Sequence, residues 1–152
     1  MKTTLLAKKH VGAALIEALV SLLVFSFGVL GLLGLQAVSI KNSSDAKYRS
    51  DASYLANQII SQMWVDRTNI DAYAHYPTGS VCAFTGSVST NGNVTKWMTQ
   101  VTSMLPGAAS TQTQIQVATP VANTKTVTVT ICWQTPQENS AHNFVTTAQI
   151  NQ

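Results

Sequence analysis

Charge is scarce in this chain. Only 10% of its 152 residues are Asp, Glu, Lys or Arg, against about a quarter in an ordinary soluble protein. The mean hydropathy is positive, at +0.13. Together these exclude a disordered, highly solvated chain and predict that part of it lies in lipid. Proline is also rare, and the first of the four is Pro77, so nothing before it forces a helix to break. There is no nucleophile elbow, no glycine-rich phosphate loop and no H-E-x-x-H, so the common catalytic frameworks find no support. The three histidines, His10, His75 and His142, lack tight ligand spacing, and neither a metal site nor a cofactor is expected. A net basic surface is missing as well. Lys2, Lys8 and Lys9 precede the long apolar run, and from Ala13 onward six basic residues face six acidic ones. The pI near 9.0 therefore belongs to the first dozen residues, and no nucleic-acid partner is expected.

What is present is concentrated at the amino terminus. From Ala18 to Ile40 there are 23 consecutive positions without a charge, and a helix needs about 20 such residues to cross a bilayer. The leading lysines place the amino terminus in the cytoplasm by the positive-inside rule. Residues after about 40 are then exported. Glu17 lies at the cytoplasmic entrance of the run, where inserting a carboxylate costs about 3 kcal/mol. It is a short side chain that reaches poorly back to the headgroups, so it calls for a partner.

Three processing schemes compete. A secretory signal would be cut near Ala37-Val38-Ser39, but the run is too long and carries Glu17. An uncleaved anchor explains the length and leaves Glu17 unexplained. Cleavage after Gly12 would keep the apolar segment in the mature protein.

The stretch Lys8-Lys9-His10-Val11-Gly12, followed by Ala13-Ala14-Leu15-Ile16-Glu17-Ala18-Leu19-Val20, resembles the class III signal of type IV prepilins and type II secretion pseudopilins. The run from Ala14 to Ala37 looks most like the PilV group of minor pilins. Ala13 departs from the Phe that the family most often has there. The resemblance implies that a prepilin peptidase cuts after Gly12 and methylates Ala13, and that Glu17 is the fifth mature residue. It further implies that Glu17 of an incoming subunit meets the Ala13 amine of a neighbour. At a low effective dielectric that pair would exceed the value of about 0–1 kcal/mol typical of a surface pair, and it would set register. Other minor pilins, the major pilin and a tip adhesin are the implied partners. The inner membrane is the implied location before assembly, and the pilus or cell surface after it.

Gly28, Gly31 and Gly34 recur every three residues. They suit close helix packing or local melting in a filament, and equally the ordinary glycine enrichment of membrane helices. Beyond the run, Ala52, Leu55, Ala56, Ile59, Ile60 and Met63 keep a 3–4 spacing. One helix is predicted from Ala13 to Asp66, with a membrane or filament-core half at 13–40 and an amphipathic half at 41–66. Residues 1–12 form the leader and 67–152 the exported head. Met63 and Trp64 are expected as core anchors.

A connecting region is expected after Asn69, through about Asn93. Val94, Trp97, Met98, Val101 and Leu105 predict a short helix ended by Pro106-Gly107. Alternation at Ile115 and Val117, at Val127 to Trp133, and from Phe144 to Ile150 predicts antiparallel strands with turns near Asn123-Thr124 and Gln137-Ser140. The fold class is α+β and pilin-like: a long helix packed on a small antiparallel sheet. Cys82 and Cys132 are an even pair in an oxidising compartment and are expected to bond, with two buried free thiols as the other reading. Asp45, Asp51, Asp66 and Asp71 read as a solvated face rather than an acid–base pair.

The function expected first is a non-enzymatic minor pilin-like subunit that helps initiate a type IV pilus, at or near its tip. A minor pseudopilin of a type II secretion system shares the scaffold. A membrane-anchored binding or enzymatic domain would need a pocket with convergent polar groups and would leave Glu17 without a role.

Overall fold

The computed structural model describes residues 11–151, with side chains from Ala13 onward. The chain is α+β, a long N-terminal helix followed by a small antiparallel sheet. It divides after Ser44 into two compact units. The first helix, α1, spans Val11–Val65 in one piece. No proline interrupts it, and the helix cost of Gly28, Gly31 and Gly34 is diluted among many leucines. In the first unit every described side chain from Ala13 to Ile40 is exposed.

The second unit has its own core. Ala52, Leu55, Ala56, Ile59 and Met63 of α1 are fully buried, the stripe their spacing predicts. Trp64 corrects the expectation of a second anchor there. It is 45% exposed, because a step of about 100° from Met63 carries it off the buried face. The helix ends one residue earlier than expected. Asp66 leaves helical geometry (φ −106°, ψ 48°), and its carboxylate accepts from Asn69 Nδ2 at 2.7 Å and Tyr73 Oη at 3.2 Å. These local bonds compete with the helix and start a 3₁₀ segment, Arg67–Tyr73, that buries Ile70 and Tyr73.

The expected connecting region contains a hairpin, β1 (Thr78–Ser80) with β2 (Ala83–Thr85). Strands of three residues are too short for alternation to show. At its tip Cys82 takes φ 63°, a left-handed conformation uncommon for a residue with a Cβ.

The second helix, α2 (Gly92–Met104), is capped by Asn91, whose side chain accepts from Asn93 N at 2.8 Å. It buries Val94, Trp97, Met98 and Val101. Leu105 is already extended, as the residue before a proline prefers. Gly107 follows at φ 65°, where an added Cβ would sit 2.6 Å from the Gln134 carbonyl oxygen.

Strands β3 (Thr113–Val121), β4 (Thr124–Trp133) and β5 (His142–Asn151) form an antiparallel meander with β4 in the centre. Both turns fall where expected, and Asn123 supplies the positive φ of the first. The β3–β4 register shifts between Ala118 and Val121, around Pro120. A residue without an N–H is tolerated at such an irregularity on an edge strand. Val127, Val129 and Ile131 alternate inward and join the stripe of α1 and the face of α2 in one core with Ile115 and Ile150. Each such buried side chain contributes about 1.5–3 kcal/mol.

Candidate functional site

Two groupings of residues carry chemistry, and each lies within one unit. The first is the apolar surface of α1. It is long and apolar enough to cross a membrane, and none of its most apolar window is buried within the chain. Leu15, Phe25 and Ile40 are 66, 69 and 68% exposed. Ser21 and Ser26 turn their hydroxyls back onto the carbonyls of Glu17 and Leu22, each at 2.7 Å, so the helix itself satisfies those polar groups. Glu17 is the single charged residue between Gly12 and Lys41. Ala13 precedes it by four positions, on the same helix face. Gly28, Gly31 and Gly34 fall within an arc of about 120°, and a Cβ built on any of them meets nothing within 4 Å. The chain itself therefore gives them no packing role. The leader and the cut after Gly12 lie outside the residues whose side chains are described.

The second grouping is in the β-rich unit. Cys82 and Cys132 form a disulfide with Cα atoms 5.6 Å apart, as expected. Cys132 belongs to the β4 face that carries Thr128 and Thr130, opposite Val129 and Ile131, so the bond fastens the tip of the β1–β2 hairpin to the outer side of the sheet. Across the ladder Trp133 pairs with His142, and their rings stack with centroids 5.7 Å apart and planes 18° from parallel. His142 Nε2 is in hydrogen-bond contact with Glu138 Oε2. Thr135 Oγ1 donates to the same oxygen at 3.1 Å, and Gln134 Nε2 donates to the Glu138 carbonyl at 2.8 Å. Asp45 of α1 completes the group. One ligand-capable atom from each of Asp45, Glu138 and His142 lies within 4.8 Å of the others, and all three residues are half-buried.

Asp45 is half-buried, so the solvated face expected of it is only partly exposed. Asp66 and Asp71 also have partners, the latter Lys125 Nζ at 2.8 and 2.9 Å. Sequence reasoning missed the triad because Asp45 and Glu138 are about 93 positions apart in the chain. One signal was present. Asp45 stands at the head of the stripe Tyr48, Ala52, Leu55 and Ile59, on the side of the helix that faces the core.

His75 is the other buried histidine, 1% exposed. Its Nδ1 accepts from the backbone N–H of Ser89 at 3.2 Å, which leaves Nε2 to donate to Ser110 Oγ at 3.1 Å. Burial lowers its pKa, so it is a neutral structural histidine. A groove of about 850 Å³ runs along the outer side of α1 beside α2, lined by Tyr54, Asn57, Gln58, Ser61, Gln62, Val65, Asp66 and Asn93. Most of its side chains end in amides or hydroxyls, yet its accessible wall is mostly apolar, and Asp66 supplies its one carboxylate.

Comparison with family models, with curated proteins and with solved structures finds no match to this chain.

Proposed function

We propose that the chain is a minor pilin-like subunit that enters a type IV pilus through α1 and helps initiate its assembly with other minor pilins, at or near the tip. One observation carries this reading. The apolar helix surface from Ala13 to Ile40 is wholly uncovered by the chain and contains a single carboxylate, Glu17. Lipid can cover the apolar side chains but does not pair the charge. A methylated amine at Ala13 of a neighbouring subunit, released by a prepilin peptidase, would do so. A wrong alignment would leave both charges unpaired in a low-dielectric layer, so the pair acts as a register device.

The exported unit fits the role of a presented head. Its disulfide suits an oxidising compartment. In this reading the subunit acts by association rather than catalysis. In this proposal it waits in the inner membrane with its amino terminus in the cytoplasm and reaches the cell surface as part of the fibre. The resemblance of the amino-terminal third to the PilV group is what favours a pilus over a secretion machine. N-terminal mass spectrometry on protein from native membranes tests the reading. A methylated start at Ala13 is expected, whereas Ile40 would mean ordinary secretion and Met1 an uncleaved anchor.

A further inference from the structure

We propose that Asp45, Glu138 and His142 form a binding site for a divalent transition metal ion of the zinc class, clipping α1 to the β4–β5 connection. Three observations converge. The ligand atoms are a nitrogen and two carboxylate oxygens within 4.8 Å of one another. The set holds two carboxylates and one imidazole, which ligates in its neutral form, so a divalent cation would match the charge of the two carboxylates. The third is that the surroundings already orient the ligands. Trp133 stacks on the imidazole, and Thr135 holds Glu138 Oε2. The Cys82–Cys132 bond braces the start of β5, where Cys82 Sγ lies 3.9 Å from the His142 carbonyl oxygen. Outer partners of this kind fix ligand geometry in metal sites.

The donor set selects the ion. Calcium takes six to eight oxygens and magnesium keeps an octahedral oxygen shell, so an imidazole with two carboxylates suits neither. Zinc accepts nitrogen and oxygen at about 2.0–2.2 Å in a tetrahedron, which puts adjacent ligand atoms about 3.3–3.5 Å apart. His142 Nε2 and Glu138 Oε2 lie closer together than that, so binding requires the Glu138 side chain to turn and part their contact, with Asp45 as the third ligand. Three protein ligands leave the fourth position to water. Half-burial of all three leaves a way in. The clip joins residues about 93 positions apart, so its effect is to secure the β4–β5 connection against α1.

The test uses the full-length chain in detergent micelles, stripped with a chelator and dialysed against zinc ions, with bound metal counted by mass spectrometry. About one zinc per chain is expected, and a thermal midpoint that rises with zinc concentration. Asp45→Asn and His142→Gln should each weaken binding by about tenfold or more and flatten the rise. Circular dichroism in chelator should match the parent for each variant, separating lost ligation from lost folding, and Asp45→Asn is the less disruptive of the two. His10→Gln should bind as the parent does. Less than about 0.2 zinc per chain, unaltered binding by both ligand variants, loss of binding in His10→Gln, or equal affinity for calcium would each overturn the assignment.

Discussion

The indole Nε1 of Trp97 donates to the main-chain carbonyl of Leu55 at 2.8 Å, and both residues are buried. A helical carbonyl normally has its partner four residues on, so this bond uses its second lone pair. It stitches α2 to α1 through the core, at the centre of the stripe that supports the sheet. Trp97→Phe keeps most of the bulk and removes the donor. It should cost about 1–2 kcal/mol, read as a lower midpoint in chemical unfolding with an unchanged slope.

The disulfide should dominate the stability of the second unit. The covalent bond between Cys82 and Cys132 has a sequence separation of 50, for which the chain-entropy model gives about 4 kcal/mol. Cys132 is also fully buried. Cys82→Ser with Cys132→Ser should lower the thermal midpoint strongly, and reductant should lower that of the parent protein but not of the double variant. Intact-mass measurement with an alkylating reagent should show no free thiol before reduction.

Acid should weaken the fold through His75. Its pKa lies below the ordinary 6.5 because burial disfavours the imidazolium. Below about pH 6.5 the unfolded chain takes up a proton that the folded chain refuses, so the stability conferred is complete above that pH and declines as pH falls toward the folded value. Unfolding midpoints measured from pH 7.5 down to 5 should fall. In His75→Gln they should start lower and fall less.

Glu17→Ala should separate processing from assembly. In the proposed function the cut after Gly12 is upstream of the substitution, so the mature start at Ala13 should still form. Recovery with sheared filaments should fall by about tenfold or more, since one unpaired charge in lipid is worth at least about 3 kcal/mol. Normal recovery would remove the role given to the Glu17 carboxylate.

Gly107→Ala tests a purely local constraint. The positive φ and the Gln134 carbonyl 2.6 Å from the added Cβ should cost about 1–3 kcal/mol. Differential scanning calorimetry reads the effect, and Gly92→Ala is the control, because its Cβ meets nothing within 4 Å.

Much of this protein is determined by local pattern. The continuity of α1 follows from the absence of proline before Pro77. The buried stripe from Ala52 to Met63, the α2 face and the alternation of β4 follow from periodicities of about 3.6 and 2, which survive in one dimension because each element buries one face. What periodicity could not carry was decided by tertiary structure. The strands of the β1–β2 hairpin are too short to have a period, and Trp64 turned outward because Met63 had already taken the core position. Asp45 met Glu138 and His142 only once α1, β4 and β5 had packed, since proximity between residues so distant in the chain is a property of the fold and not of any segment.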